Sequence, residues 1–166
     1  MSGTLEVIDQ GRRIAFSFED ILDYHGPRSP GGAALAFKAL ERALPLLEPD
    51  GLCERRELVV ETAFGGPGAR DAFELVARAV SDDRYRVDPA LARPERGRAL
   101  EHFVFRIGLR ERRVTLLLRP GFVTEEFIDL ARTEQRSAVQ EQRLDALKLA
   151  LAARVMAQPA VVVYAI

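Results

Sequence analysis

Two histidines, a lone cysteine and two runs of proline and glycine carry the chemistry open to this chain. His25 opens the stretch His25-Gly26-Pro27-Arg28-Ser29-Pro30-Gly31-Gly32, which ends one amphipathic segment and starts another. An imidazole there can bind a metal, act as a general acid or base, or donate a hydrogen bond to a ligand. It can also do no more than cap the carbonyls of the preceding helix. Ser29-Pro30-Gly31-Gly32 reads as a helix start, with serine to cap and proline at a position whose N–H is orphaned anyway. Free N–H groups, the positive dipole end and the neighbouring Arg28 together suit a carboxylate or phosphate. The plainer alternative is an N-cap whose glycines allow close packing.

A second run, Gly65-Gly66-Pro67-Gly68, follows a strand pattern and leads into a helix pattern. It fails as a dinucleotide fingerprint, because a G-x-G-x-x-G register from Gly66 ends on Asp71, whose charge would repel a pyrophosphate. A tight connection with a small-anion site at Gly68 fits better. Asp71, expected in the first helical turn, is stabilised there by the dipole. Its functional alternative is to face His25 across a cleft as the carboxylate that orients the imidazole. Glu61 is a second acidic candidate if its side chain points inward. Cys53 and His102 are the remaining donors, scattered in sequence, and no G-x-S-x-G nucleophile motif is present.

The elements that must position these residues follow from hydrophobic spacing. Leu5, Val7 and Ile8, then Ile14, Ala15, Phe16 and Phe18, flank Asp9-Gln10-Gly11-Arg12 and predict a β-hairpin. Residues 18–24 form a short helix candidate. From Ser29-Pro30, Ala33, Phe37, Leu40 and Leu44 give a buried helical stripe that Pro45 and Pro49 end. Residues 58–64 read as a strand and residues 69–80 as a helix. Residues 81–98 are the most loop-like segment. Phe103, Phe105 and Ile107, with residues 114–118, predict a second hairpin. Thr124 caps a helical region that reaches about residue 157, with a break near residues 133–137. Residues 160–166 are apolar and β-rich, which predicts pairing in a sheet or an interface. The order ββ-α-α-β-α-ββ-α-β lacks strict alternation and predicts an α+β fold with a mixed, mostly antiparallel sheet.

Composition narrows the class. The 166 residues suffice for one domain, residues 1–166, and 48% hydrophobic with 30% charged residues suits a globular chain. A net charge of -1 gives no bulk attraction to nucleic acid or anionic membrane. No apolar run approaches the roughly 20 residues of a membrane span. Residues 1–10 lack a basic segment followed by an apolar core, so no signal peptide is expected. One cysteine cannot form an intrachain disulfide, and cytoplasmic residence is the default expectation.

His25-Gly26-x-x-x-Pro30-Gly31, followed by Ala33, Leu35 and Ala36, resembles the opening of the FmdE-like family, which takes its name from a component of formylmethanofuran dehydrogenase. The family pattern is His-Gly-His-x-Cys-Pro-Gly, then Cys-x-x-Asp-Ala at a strand-to-helix junction. That junction is matched here by Gly68-Ala69-Arg70-Asp71-Ala72, and the resemblance covers roughly residues 18–130. It implies metal ligands at positions that here hold Pro27, Ser29 and Gly68, none a good donor for a transition metal. The implied metal site is therefore degenerate, reduced to His25 and Asp71.

The expectation is an FmdE-like accessory or small-ligand-binding protein, with a cleft among His25, Arg28, Ser29, Gly31, Gly68 and Asp71 for a small molecule or small anion. The alternative is a metal-dependent enzyme or redox accessory protein that holds zinc or iron through His25. A purely structural dimeric domain stays open too. The resemblance also implies a homodimer.

Overall fold

Short-range alternation shapes the first element. In the computed structural model, which describes residues 3–166, β1 (Thr4–Asp9) and β2 (Arg12–Ser17) pair antiparallel, from Thr4 opposite Ser17 to Asp9 opposite Arg12. Met1 and Ser2, where the segment read for a leader begins, lie outside the described residues. Gln10 and Gly11 join the strands with φ of 52° and 88°, the left-handed pair that a two-residue hairpin turn requires. Ser17 then caps α1 (Phe18–His25): its hydroxyl accepts from the Asp20 N–H at 3.1 Å, and the Asp20 carboxylate accepts from the Ser17 N–H at 2.8 Å. Both first-turn donors are thereby satisfied reciprocally.

The centre of the molecule is α2 (Pro30–Leu47), and it departs from the one-sided stripe its spacing predicts. Residues from Ala33 to Leu40 are buried without interruption, including Lys38, whose ammonium donates to Glu41 at 2.8 Å. Over these two turns the helix is buried on all sides, as a core helix is, and its alanines let neighbours approach closely; farther on, Glu41, Arg42, Pro45 and Leu46 border the surface. Pro45 does not end α2, which continues to Leu47. Proline removes one hydrogen bond and crowds one carbonyl. Here that happens in the final turn, where buried Leu44 and Leu47 hold the helix in place.

β3 (Leu58–Thr62) leads into α3 (Pro67–Ala77), and β4 (Tyr85–Val87) returns parallel to β3. This strand and two single 3-10 turns, Pro89–Leu91 and Pro94–Arg96, lie within residues expected to be loop. Long-range bonds account for the difference. The Val60 N–H donates to the Arg84 carbonyl at 2.8 Å, and the Asp88 N–H to the Thr62 carbonyl at 2.7 Å. The Arg96 guanidinium donates to the Leu118 carbonyl at 2.6 Å.

β5 (Val104–Leu109) and β6 (Arg112–Leu118) form the second hairpin. Thr124 caps α4 (Glu125–Arg132), accepting from the Phe127 N–H at 3.1 Å. The expected break follows, and α5 (Ala138–Met156) starts behind a Ser137–Gln140 capping box. The last segment is not one strand: Pro159 starts a helical turn, α6 (Ala160–Val163), before β7 (Tyr164–Ala165). That turn swings Tyr164 under α2, where its hydroxyl donates to the Leu35 carbonyl at 2.9 Å.

The fold is α+β. The five-stranded sheet has the order β4-β3-β5-β6-β7, antiparallel except between β3 and β4. Leu58, Val60, Phe105, Ile107, Leu116 and Leu118 enter one contiguous core with α2 and α3. The two-stranded sheet attaches through buried Arg55, which donates to the Val76 carbonyl at 2.9 Å, reaches Asp9 at 3.3 Å and stacks 5.5 Å over the Phe16 ring. No described helix is long and apolar enough to cross a membrane.

Candidate functional site

Two helix starts meet where the two glycine-bearing runs come together. Gly68, in the first turn of α3, sits against the Ser29 carbonyl and the Ala33 nitrogen at the start of α2. Gly32 faces the Ala69 nitrogen in the same seam: a Cβ there would lie 3.2 Å from it. Neither start has a side-chain cap. The Ser29 hydroxyl makes no capping bond, and the N-cap of α3 is Gly66. The N–H groups of Gly32 and Gly68 therefore lack intrahelical partners.

The turn between β3 and α3 is fixed from inside. Thr62 is fully buried; its hydroxyl donates to the Val104 carbonyl at 2.7 Å and accepts from the Phe64 N–H at 3.0 Å. This places the Phe64 ring 4.8 Å from Phe103. A cavity of about 420 Å³ opens beside that pair, bounded by the two helix starts, α4 and α5. Its size lies within the roughly 300–1,000 Å³ of small-molecule sites. Phe127 and Leu144 add apolar wall; His102, Arg132, Arg136 and Lys148 add basic groups.

The basic groups are held in different ways. The Arg132 guanidinium lies 3.3 Å from both His102 Nδ1 and the Glu101 carboxylate. Arg136 reaches Glu141 at 2.9 Å and donates to the Leu130 and Thr133 carbonyls at 3.1 Å, closing the end of α4. Lys148 donates to the Arg28 carbonyl at 3.2 Å.

The six residues expected to form the cleft divide into two groups. Ser29 and Gly68 line the cavity. His25, Arg28, Gly31 and Asp71 do not. Arg28 is exposed and borders a second depression with Arg136, Glu141, Asp145 and Lys148. Gly31 faces α5: a Cβ there would lie 2.8 Å from Leu151 Cδ2. His25 and Asp71 do face each other, with Nδ1 2.7 Å from Oδ2. Asp71 stands beyond the first turn of α3, since the helix begins at Pro67. The His25 ring does not cap α1; the Gly26 N–H does, donating to the Leu22 carbonyl at 2.7 Å with φ of 88°.

The imidazole side chain is 5% exposed, and its Nε2 is buried without a partner among the described residues. An ionised Asp71 carboxylate accepts only, which makes Nδ1–H the donor of that bond. We expect Asp71→Ala to destabilise the fold by about 1–3 kcal/mol, since it leaves a buried Nδ1–H unpaired. A urea midpoint equal to that of the parent chain would show the pair to be energetically idle.

The donors suggested for a metal are not gathered. Among the described residues no group of three or more His, Cys, Asp or Glu side chains could hold a metal ion. Cys53 lies near the far end of α2, with its thiol bonded to the Leu44 carbonyl at 3.5 Å. Burial raises its pKa to about 11, so the thiolate that a metal or an electrophile needs is disfavoured. Glu61 points away from His25. It accepts from Arg86 at 2.8 Å and from Arg106 at 3.0 Å. Burial pushes its pKa up, but the two guanidiniums outweigh that and hold it below the usual glutamate value.

Phe64, Phe103, Arg132, Arg136 and Lys148 carry no sequence motif, so spacing alone does not single them out. One signal was present: Lys148 is one of two lysines in a chain that otherwise uses arginine. No protein-family model matches this chain, and no curated protein matches it.

Proposed function

We propose that this chain is an FmdE-like small-ligand-binding protein that takes an organic molecule into the cavity beside Phe64 and Phe103. The observation that carries the reading is the cavity itself: about 420 Å³, walled by aromatic and aliphatic side chains, with convergent polar groups at its margin. The two stretches that carry the family resemblance support it from another side. They meet at the Ser29–Gly68 contact and the His25–Asp71 pair, next to the cavity. The His25–Asp71 pair braces α1 against α3, and ligand binding falls to the neighbouring wall. A homodimer belongs to the same reading, through exposed Val161, Val162 and Ile166; light scattering in solution reads it directly.

Ala131 lines the cavity from an exposed position on α4, so a large side chain can plug the opening without disturbing the core. The neutral fluorophore N-phenylnaphthylamine is expected to brighten and shift to the blue on binding the parent protein. Ala131→Trp is expected to remove that response while leaving the circular dichroism unchanged. Fluorescence that persists in the plugged variant would move the binding site elsewhere.

A further inference from the structure

We infer that the natural ligand is an amphipathic organic anion, an aryl or branched-alkyl carboxylate whose head sits at Lys148 and whose body lies on Phe64, Phe103 and Phe127. This rests on the cavity reading above and specifies the chemistry that the cavity selects.

The charge around the cavity is one-sided. Among the described residues that line it, four are basic or can become so, and none is Asp or Glu. Three of those four already have local partners. Arg132 and His102 share the Glu101 carboxylate, at 3.3 Å and 3.6 Å, and Arg136 is engaged by Glu141 and by the carbonyls that end α4. Lys148 differs. Its ammonium holds the neutral Arg28 carbonyl, and among the described residues no carboxylate lies within ion-pair distance of it, although Glu141 and Asp145 border the adjoining depression. An ammonium keeps three donors on a flexible stem, so two remain to meet a ligand.

Lys148 also stands where the two uncapped helix starts converge. The carbonyl it holds belongs to the residue before Ser29, and both Ser29 and Gly68 line the same cavity. The N–H groups of Gly32 and Gly68 add fixed positive potential to the lysine's charge. A carboxylate there meets a cation and backbone donors together; an amine there meets repulsion. The rest of the wall sets the body. Phe64 and Phe103 form a tilted pair, and Phe127 on α4 and Leu144 on α5 complete an apolar surface suited to an aromatic ring. A bare inorganic anion would leave that surface unused, whereas an aryl carboxylate satisfies both parts.

The test displaces N-phenylnaphthylamine from the full chain with three ligands that share one body: phenylbutyrate, its neutral amide and phenylbutylamine. Phenylbutyrate is expected to compete about ten-fold more tightly than the amide, the size of one added charge-assisted hydrogen bond. The amine is expected to be the weakest. Lys148→Met should bring phenylbutyrate down to the affinity of the amide, and Lys148→Arg should retain most of the preference. Equal affinity for carboxylate and amide, or a preference that survives Lys148→Met, overturns the inference and leaves the cavity reading standing. So does a bound fluorophore that phenylbutyrate cannot displace. Failure of the fluorophore itself to bind overturns both.

Discussion

Gly68→Ala is expected to destabilise the protein by about 3 kcal/mol, at the upper end for a single added methyl group. The reason lies in what surrounds the missing Cβ. It would fall inside contact distance of the Ser29 carbonyl oxygen and 2.8 Å from the Ala33 nitrogen. Both are backbone atoms in the first turn of the central helix and have no rotamer to change. Relief requires α3 to move off α2, which loosens Phe73 and Val76 in the core below. Gly31→Ala is the control. Its Cβ would crowd a side-chain end, Leu151 Cδ2, at 2.8 Å and meet backbone, the Lys148 carbonyl, only at 3.3 Å, so its loss is smaller. Urea unfolding followed by circular dichroism separates the two. Equal midpoints would mean that the α2–α3 seam is more compliant than its geometry indicates. Because Gly68 also lines the cavity, the same substitution should weaken fluorophore binding in the fraction that remains folded.

Tyr164→Ala is expected to be comparably severe, at about 3–5 kcal/mol, the range for removing a large buried aromatic side chain. Tyr164 is fully buried, meets Phe105 edge-on at 5.8 Å and forms half of β7. Its hydroxyl donates to the Leu35 carbonyl in the middle of α2. Burial raises the phenol's pKa well above its ordinary value, so the donor stays protonated throughout the working range. Tyr164→Phe keeps the ring and loses the bond, and should cost about 1 kcal/mol. The gap between the two variants measures packing against hydrogen bonding. If the Phe variant were as damaged as the Ala variant, the hydroxyl would be the anchor and the ring would count for little.

The elements with local signals are those that sequence reading places well. The first hairpin, the Thr124 cap and the break before residue 138 each depend on neighbours within a few positions. Elements that depend on distant partners are read less well. β4 is three residues in a charged stretch and exists because Val60 and Thr62 bond to it. Residues 160–163 have β-branched character yet form a helical turn, because Tyr164 has to reach Leu35. Pro45 is a poor stop signal where Leu44 before it and Leu47 after it are buried. The site divides in the same way. Ser29 and Gly68 are visible as helix starts, and both line the cavity. His25 and Asp71 are visible as a pair and do meet, but beside the cavity and not within it. The far wall, from Phe103 through α4 to Lys148, comes from three separate elements whose approach no local pattern encodes.

The bond between Tyr164 and Leu35 joins positions 129 residues apart. A contact of that span closes a very long loop, and the entropy of closure must be overcome before the contact gives anything back. Local hairpins and capped helices can form well ahead of it. The seam is therefore expected to form late, after the rate-limiting barrier, which refolding and unfolding rates of Tyr164→Phe would test. Weakening it leaves the speed of refolding nearly unchanged and shortens the lifetime of the native chain instead. Resistance to proteases that wait for rare openings is then expected to fall when this seam is weakened.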